Sequence, residues 1–202
     1  MNLTTGIKTY LIKEWIQVYK KHFNGNGLKI EFRRYESMVE LAEIYDNKRR
    51  PLNKTSERYS MNKGEYALVV HVWIMNKKGE LLLQKRSENK KVYPGKWSVT
   101  GGGNELNETT LQTAIRECKE EIGIDLDVDK LELMLTVKRE KVFVDVWLLK
   151  QDIDINSIIM QKDEVAEVRW VTLEEIRNMI NGGKTSPSIE IYFNTLENLI
   201  KQ

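Results

Sequence analysis

The sequence predicts an α/β sandwich, a mixed β-sheet held between α-helices, and three observations carry that expectation. Strand-like runs separated by turn residues recur over 66–75, which is rich in Val and Ile, and over 80–85, 97–100, 131–138, 142–150 and 165–171. One helical pattern, 109–122, falls among these strands and is closed by Gly123, the residue type that best accepts a left-handed C-terminal cap. Two further helical patterns, 173–180 and 188–201, end the chain, the first stopped by Gly182-Gly183. Strands, helix, strands and helices in that order imply layers packed around one sheet.

Taken from the N-terminus, residues 1–37 differ from the rest of the chain. Positions 7–23 suit an amphipathic helix with Ile7, Tyr10, Leu11, Trp15, Val18 and Tyr19 on one side, broken by Asn24-Gly25-Asn26-Gly27. This extension would pack on the domain or on a partner. Alternatively it is a translated leader: Arg33-Arg34 lies just upstream of Met38, and a purine-rich ribosome-binding sequence can encode such a pair. Codons other than AGG-AGG there would exclude the leader. The domain proper is therefore placed at 38–202. Within it, 41–45 is a short strand and 46–63 a polar loop. Asn76-Lys77-Lys78-Gly79 is a hairpin turn joining 66–75 to its partner strand 80–85. A basic loop, 86–96, leads to the short strand before Gly101-Gly102-Gly103.

Bulk composition narrows the function classes. Of 202 residues, 41% are hydrophobic and 31% charged, the balance of a folded globular chain rather than a disordered one. Lys and Arg number 32 against 30 Asp and Glu, a net charge of +2 that gives no case for a nucleic-acid coat or a membrane-surface protein. Cys118 is the only cysteine, which excludes an intrachain disulfide and fits a reducing cytoplasm. No apolar run approaches the length of a membrane span, and charges at Lys8, Lys13 and Glu14 interrupt any secretory segment.

Chemistry concentrates between Gly102 and Ile124. The segment reads Gly102, five residues, Glu108, seven residues, Arg116-Glu117-Cys118, one residue, Glu120-Glu121, one residue, Gly123-Ile124. At 100° per residue, Glu121 lies roughly 40° to one side of Glu117 and Glu120 roughly 60° to the other. The three carboxylates thus share a face, while Leu111, Ala114, Ile115, Cys118 and Ile122 form the adjoining apolar arc. Crowded carboxylates repel and raise one another's pKa, and divalent cations relieve the repulsion. Oxygen-only donors suit Mg²⁺, with Mn²⁺ as substitute, rather than zinc. Glu108, one residue before the helix, also suits its positive N-terminal dipole.

These residues match the Nudix box at all seven of its fixed positions, and the segment resembles that family of hydrolases. With each residue type at roughly 6%, a chance match in a chain of this length is on the order of one in a million. The resemblance implies the Nudix fold and a metal-dependent hydrolase that cleaves the diphosphate of a nucleoside diphosphate linked to X, or a related organic diphosphate. It implies metal ligation by Glu117, Glu120, Glu121 and a carbonyl at Gly101. Arg116 would orient a catalytic Glu, and Glu120 would carry the acid–base role. Gly102 would shape the loop. The partner implied is a small-molecule diphosphate, and the resemblance also admits a homodimer.

Outside the box, Val69-Val70-His71-Val72-Trp73-Ile74, the run Gly79 through Ser87 and Tyr93-Pro94-Gly95-Lys96-Trp97 resemble the branch that contains isopentenyl-diphosphate isomerase. The isomerase reaction would need a Cys where Gly101-Gly102 stands and a His near Ala67, so hydrolysis is favoured over isomerisation. The alternative from another class is a non-catalytic Nudix-fold module that binds a nucleotide-like ligand. Such modules typically lose a box carboxylate, and here Glu117, Glu120 and Glu121 are all present. Tyr93, Trp97 and Arg86 are candidates for substrate binding, although Trp97 suits core packing equally well and the Arg86 loop suits simple solvation. His71, inside a Val-rich strand, reads as structural or pocket-lining. Glu164, just before a late strand, is a weaker candidate for a base or ligand.

Overall fold

The computed structural model describes residues 10–24, 27–57 and 60–202. Two long strands, β1 (Tyr10–Asn24) and β2 (Gly27–Tyr45), pair antiparallel from Tyr10↔Glu40 to Asn24↔Gly27. A third, β3 (Pro51–Glu57), completes a three-stranded sheet in the order β1-β2-β3. This corrects two expectations. The helix over 7–23 is replaced by a strand from Tyr10 onward, and its positions 7–9 lie outside the described residues. Trp, Tyr, Ile and Val favour a strand at least as well as a helix. The Asn-Gly repeat taken for a helix breaker is equally a hairpin signal. The polar loop expected over 46–63 contains β3, whose exposed residues show no apolar alternation to reveal it. Pro51 opens this edge strand, where its missing N–H costs no ladder bond.

The main sheet comprises β4 (Ala67–Met75), β5 (Leu81–Arg86), β6 (Trp97–Ser98), β7 (Leu131–Lys138), β8 (Val142–Lys150) and β9 (Val165–Val171). Its order is β6-β5-β4-β8-β7, with β9 pairing β5. β4 and β8 run parallel and the remaining pairs antiparallel, so the sheet is mixed as expected. Helix α1 (Thr110–Ile122) covers one face; α2 (Leu173–Asn181) and α3 (Pro187–Ile200) cover the other. Alternation along β4 divides the core. Val70, Val72 and Ile74 pack with Ala114, Cys118 and Ile122 of α1. Trp73 packs with Leu81, Leu83 and the α3 residues Ile189, Tyr192, Phe193 and Leu196. Each large aliphatic or Phe side chain among these contributes roughly 1.5–3 kcal/mol on burial.

The β4–β5 hairpin differs from a simple ladder. Its strands pair only at Met75↔Leu81, beside the predicted turn, and then separate. β5 turns instead to β6 and β9. The vacated side of β4 is taken by the glycine segment: Val72 N donates to Thr100 O at 2.8 Å, Val70 N to Gly102 O at 2.8 Å, and Asn104 N to Leu68 O at 3.0 Å. The parting of the two strands therefore seats the glycine loop against the sheet, beside α1.

A buried polar joint fixes the start of α1. Asp145 in β8 is 1% exposed. It accepts two bonds from Arg49, at 2.7 and 2.5 Å, one from Thr110 at 2.7 Å and one from Thr136 at 2.6 Å. Arg49 holds a left-handed backbone, φ 60°, in the β2–β3 turn. Such strain typically costs about 1–3 kcal/mol, which the bidentate ion pair offsets. Burial raises the Asp145 carboxyl, but the bonds from Arg49, Thr136 and Thr110 outweigh it and leave the group below its ordinary value. A depressed carboxyl stabilises the fold above the unfolded pKa of about 3.9, and that contribution is lost as pH falls through the folded value. Asp145→Asn is expected to destabilise by about 2 kcal/mol at pH 7, a fall in Tm of roughly 4–8 °C. Thermal unfolding at pH 7 and pH 3.5 checks this: the gap between wild type and variant should narrow in acid.

Candidate active site

Helix α1 begins at a capping box. Thr109 accepts from Gln112 N, and the Gln112 side chain accepts from Thr109 N. It ends at Gly123, φ 71°, whose N–H bonds Lys119 O at 3.1 Å while Ile124 N bonds Cys118 O at 3.1 Å. Between these ends the helix is rotated relative to its apolar arc. Thr110, Thr113, Ala114, Cys118, Glu121 and Ile122 are buried, whereas Leu111 is 36% exposed. The rotation turns Glu121 into the sheet.

Glu121 is 4% exposed. Its Oε2 accepts from Gln84 Nε2 at 2.7 Å and from Gly101 N at 3.2 Å. Burial, and then the neighbouring Glu117 charge, push its carboxyl well above the ordinary glutamate value, while the Gln84 and Gly101 bonds work against the rise. Glu117 is half-buried against the glycine loop: a Cβ on Gly102 would lie 2.3 Å from Glu117 Oε1, and one on Gly101 would lie 2.1 Å from Val70 O. Gly101, whose neighbours are backbone atoms, thus requires glycine, whereas a side chain at Gly102 would displace the Glu117 carboxyl. Glu120 stands outermost, its side chain 37% exposed. The shared face read from helical periodicity is in fact graded, from buried Glu121 through Glu117 to solvent-facing Glu120.

Arg116 ties this array together. Its guanidinium donates to Glu108 at 2.8 and 2.9 Å, to Glu117 at 2.8 Å, to Glu120 at 3.3 Å and to Gly103 O at 3.1 Å. Burial lowers the pKa of Arg116, but Glu108 and Glu117 raise it further, so it stays charged. Glu108 also accepts from Glu105 N at 3.0 Å and Thr113 Oγ1 at 2.8 Å. Burial raises its carboxyl, and the bond from Arg116 and its other partners more than compensate, leaving it depressed. Glu108 is thus a clamp between the glycine loop, the helix start and Arg116, more than the partner of a dipole.

The remaining candidates are placed differently. Glu164 pairs with Lys90 from the basic loop, its backbone O accepts from Ser87 N at 2.9 Å, and its charge adds to the rise at Glu121. Arg86 donates from Nε to Val92 O at 3.0 Å, which braces that loop. Trp97 packs partly buried against the α3-side core, the second of the two roles the sequence allowed it. Tyr93 is exposed, with φ 52°. His71 is buried and shares a 2.7 Å bond with Tyr192 OH, which also accepts from Trp73 Nε1 at 3.1 Å. Burial, then Arg139 and Arg86, lower His71 to about 3, which favours its neutral form.

Gln84 is the residue that pattern reading passes over. It is 2% exposed, and its Nε2 also donates to Val99 O at 3.1 Å. The signal available is a polar residue directly after Leu81-Leu82-Leu83, since a buried polar group demands a partner. Among the described residues, no three His, Cys, Asp or Glu side chains converge as a metal cluster. Arg116 bridges Glu117 and Glu120, and Glu121 is held by Gln84. The donor chemistry nevertheless fits a hard divalent cation. All the donors are oxygens, and a buried carboxyl raised by a second carboxylate is stabilised by positive charge. The arrangement can hold such a cation between the helix and the glycine loop and present Glu120 toward water.

Comparison with known proteins agrees with this geometry. The NUDIX domain model matches residues 65–189. Over 137 residues the chain is 38% identical to an uncharacterised Nudix hydrolase of Listeria monocytogenes, covering 67% of this chain and 80% of that protein. It is 27% identical over 116 residues to the nucleoside triphosphatase NudI of an Enterobacter species, covering 52% of this chain and 82% of that one. A Deinococcus radiodurans crystal structure superposes with TM-score 0.65 at 19% identity, covering 80% of this chain and 98% of that one, which bears on the fold alone. No helix among the described residues is long and apolar enough to cross a membrane. With the box on α1, the glycine loop docked on β4 and the mixed sheet between helices, the chain belongs to the Nudix family and is a hydrolase acting on phosphoric anhydrides.

Proposed function

We propose that the protein hydrolyses the diphosphate linkage of a nucleoside diphosphate linked to X, or of a related organic diphosphate, with Mg²⁺ as its cation and Mn²⁺ as substitute. The observation that carries this reading is the Arg116-centred array: Glu108, Glu117 and Glu120 on one guanidinium, beside Glu121 buried against Gly101. Glu117, Glu120, Glu121 and the Gly101 carbonyl would hold the cation. Bound there, it would neutralise charge developing on the phosphate oxygens and lower the pKa of water. Arg116 fixes the rotamers of Glu117 and Glu120 through charge-assisted bonds. Gln84 fixes the Glu121 carboxylate. Water oxygen forms a bond to one phosphorus, the bridging P–O bond breaks, and Glu120, the most solvent-facing box carboxylate, takes the water proton. The substrate is a small molecule. We place the catalytic domain at 38–202 and treat 1–37 as an extension to it; the family match over 65–189 lies wholly inside that domain.

The test is a panel of dinucleotides, sugar nucleotides, nucleoside triphosphates and isoprenoid diphosphates, assayed with Mg²⁺ and with Mn²⁺ by phosphate release after a coupled phosphatase. Turnover of at least one compound, abolished by EDTA and restored by Mg²⁺, is expected. Ligand binding without turnover of any compound would replace the hydrolase with a binding module.

A further inference from the structure

A cleft of about 380 Å³ lies against the glycine loop, with no residue of α1 in its lining. Gly102 and Gly103 form one wall, Val69 of β4 and Met61 contribute apolar surface, and the β7–β8 turn, Arg139 to Val142, closes it. Its size is at the small end for ligand sites. It adjoins the catalytic array through the loop itself: Gly103 O accepts from Arg116, and Gly102 abuts Glu117. A group seated in the cleft therefore touches the same loop that meets Arg116 and Glu117.

The charges lining it are unequal in what they have left to offer. Lys141 Nζ already donates to Met61 O at 2.9 Å. Glu140 is exposed at the turn. Arg139 is half-buried, and its backbone N is used by Val142 O at 2.8 Å. Among the described residues its guanidinium has no carboxylate within ion-pair distance. Arg139 is also near enough to His71 and Tyr192 for its charge to act on both. Those two neighbours are neutral and bonded to one another. A half-buried Arg139 in a cleft whose other wall is apolar, Val69 and Met61, is a site for an anion on a small organic body.

We propose that this cleft receives the non-reacting part of the substrate, and that Arg139 selects an X that carries its own anionic group, such as a terminal phosphate or a phosphorylated sugar, over an uncharged sugar. The proposal rests on the hydrolase reading only for where the diphosphate lies. Neither Tyr93, Trp97 nor Arg86 lines this cleft. Sequence alone does not single out Arg139, because the turn it occupies joins the site only through the fold.

Two arms test it on the full chain. In the first, wild type, Arg139→Gln and Arg139→Lys are compared on ATP and on ADP-glucose, which share the adenosine diphosphate but differ in the charge of X. The kcat/KM for ATP should fall about 10- to 100-fold in Arg139→Gln, less in Arg139→Lys, and change under about 3-fold for ADP-glucose. Equal losses on both substrates, or none on ATP, would overturn the selectivity. The second arm needs no turnover. Ribose 5-phosphate and ribose are titrated into ¹⁵N-labelled protein. Ribose 5-phosphate should shift the amides of Val69, Gly102, Gly103 and Arg139, ribose should not, and Arg139→Gln should lose the response. Shifts confined elsewhere, or surviving in Arg139→Gln, would overturn the site even if the protein proved inactive on every diphosphate. Unchanged thermal unfolding of both variants separates these outcomes from misfolding.

Discussion

Glu117→Gln is expected to lower kcat/KM on any diphosphate substrate about 1,000-fold, a loss of about 4 kcal/mol of transition-state stabilisation, while Tm moves by only a few degrees. The reason lies in what the substitution keeps and removes. Gln fills the same volume against Gly102. Its carbonyl oxygen can still accept from Arg116 Nη1, which stands 2.8 Å from Glu117 Oε1. Packing and the Arg116 clamp therefore survive. The substitution removes one negative charge at the centre of the array, between buried Glu121 and outer Glu120. That charge is also the second cause, after burial, of the raised Glu121 carboxyl. Its removal weakens cation affinity and ligation together, so the Mg²⁺ concentration for half-maximal rate should rise as kcat falls. Steady-state rates over a Mg²⁺ series check this. Residual activity within 10-fold of wild type at saturating Mg²⁺ would take Glu117 out of the machinery.

The features legible in sequence are the local ones. The bounds of β7, β8 and β9, the capped ends of α1 and the Asn76–Gly79 turn all derive from patterns a few residues long. The box residues are legible because their spacing on one helix fixes their relative directions before any tertiary contact forms. The misses share one physical origin, which is partners far away in the chain. β3 is polar and exposed, and only its pairing with β2 makes it a strand. The separation of β4 from β5 is decided by β9 and by the glycine segment, each of which competes for one of the two strands. Leu111, expected inside, lies exposed because Gln84 and Gly101 N–H hold Glu121 against the sheet and set the rotation of the helix. At that point the site overrides the apolar pattern, which is where local rules are expected to fail. Gln84 itself and Arg139 belong to the same class, since neither has meaning until β5 meets α1 or the β7–β8 turn meets the glycine loop.

Arg116→Ala is expected to cost both stability and activity, and pH separates the two. The Arg116 side chain is 14% exposed and serves Glu108, Glu117 and Glu120, with Glu105 at 3.9 Å. Removing one partner of a largely buried ion network typically costs about 3–5 kcal/mol, a fall in Tm of roughly 10 °C for a chain of this size. Activity should fall at least about 100-fold, because Glu117 and Glu120 lose the donor that orients them. Arg116→Lys should recover more stability than activity: one ammonium supplies the charge but lacks the fork that reaches Glu108 and Glu117 together. The pH dependence comes from Glu108. Its folded-state carboxyl is depressed, with the bond from Arg116 the largest lowering influence. It therefore stabilises the fold above the unfolded glutamate value of about 4.3 and loses that contribution as pH falls through the folded value. The Tm gap between wild type and Arg116→Ala should be widest near neutral pH and shrink as pH falls below about 4.3 and the Glu108 contribution is lost. A gap that stays constant across that range would mean that Arg116 acts through packing of its aliphatic stem and not through its charge, and the clamp on Glu117 and Glu120 would have to be assigned elsewhere.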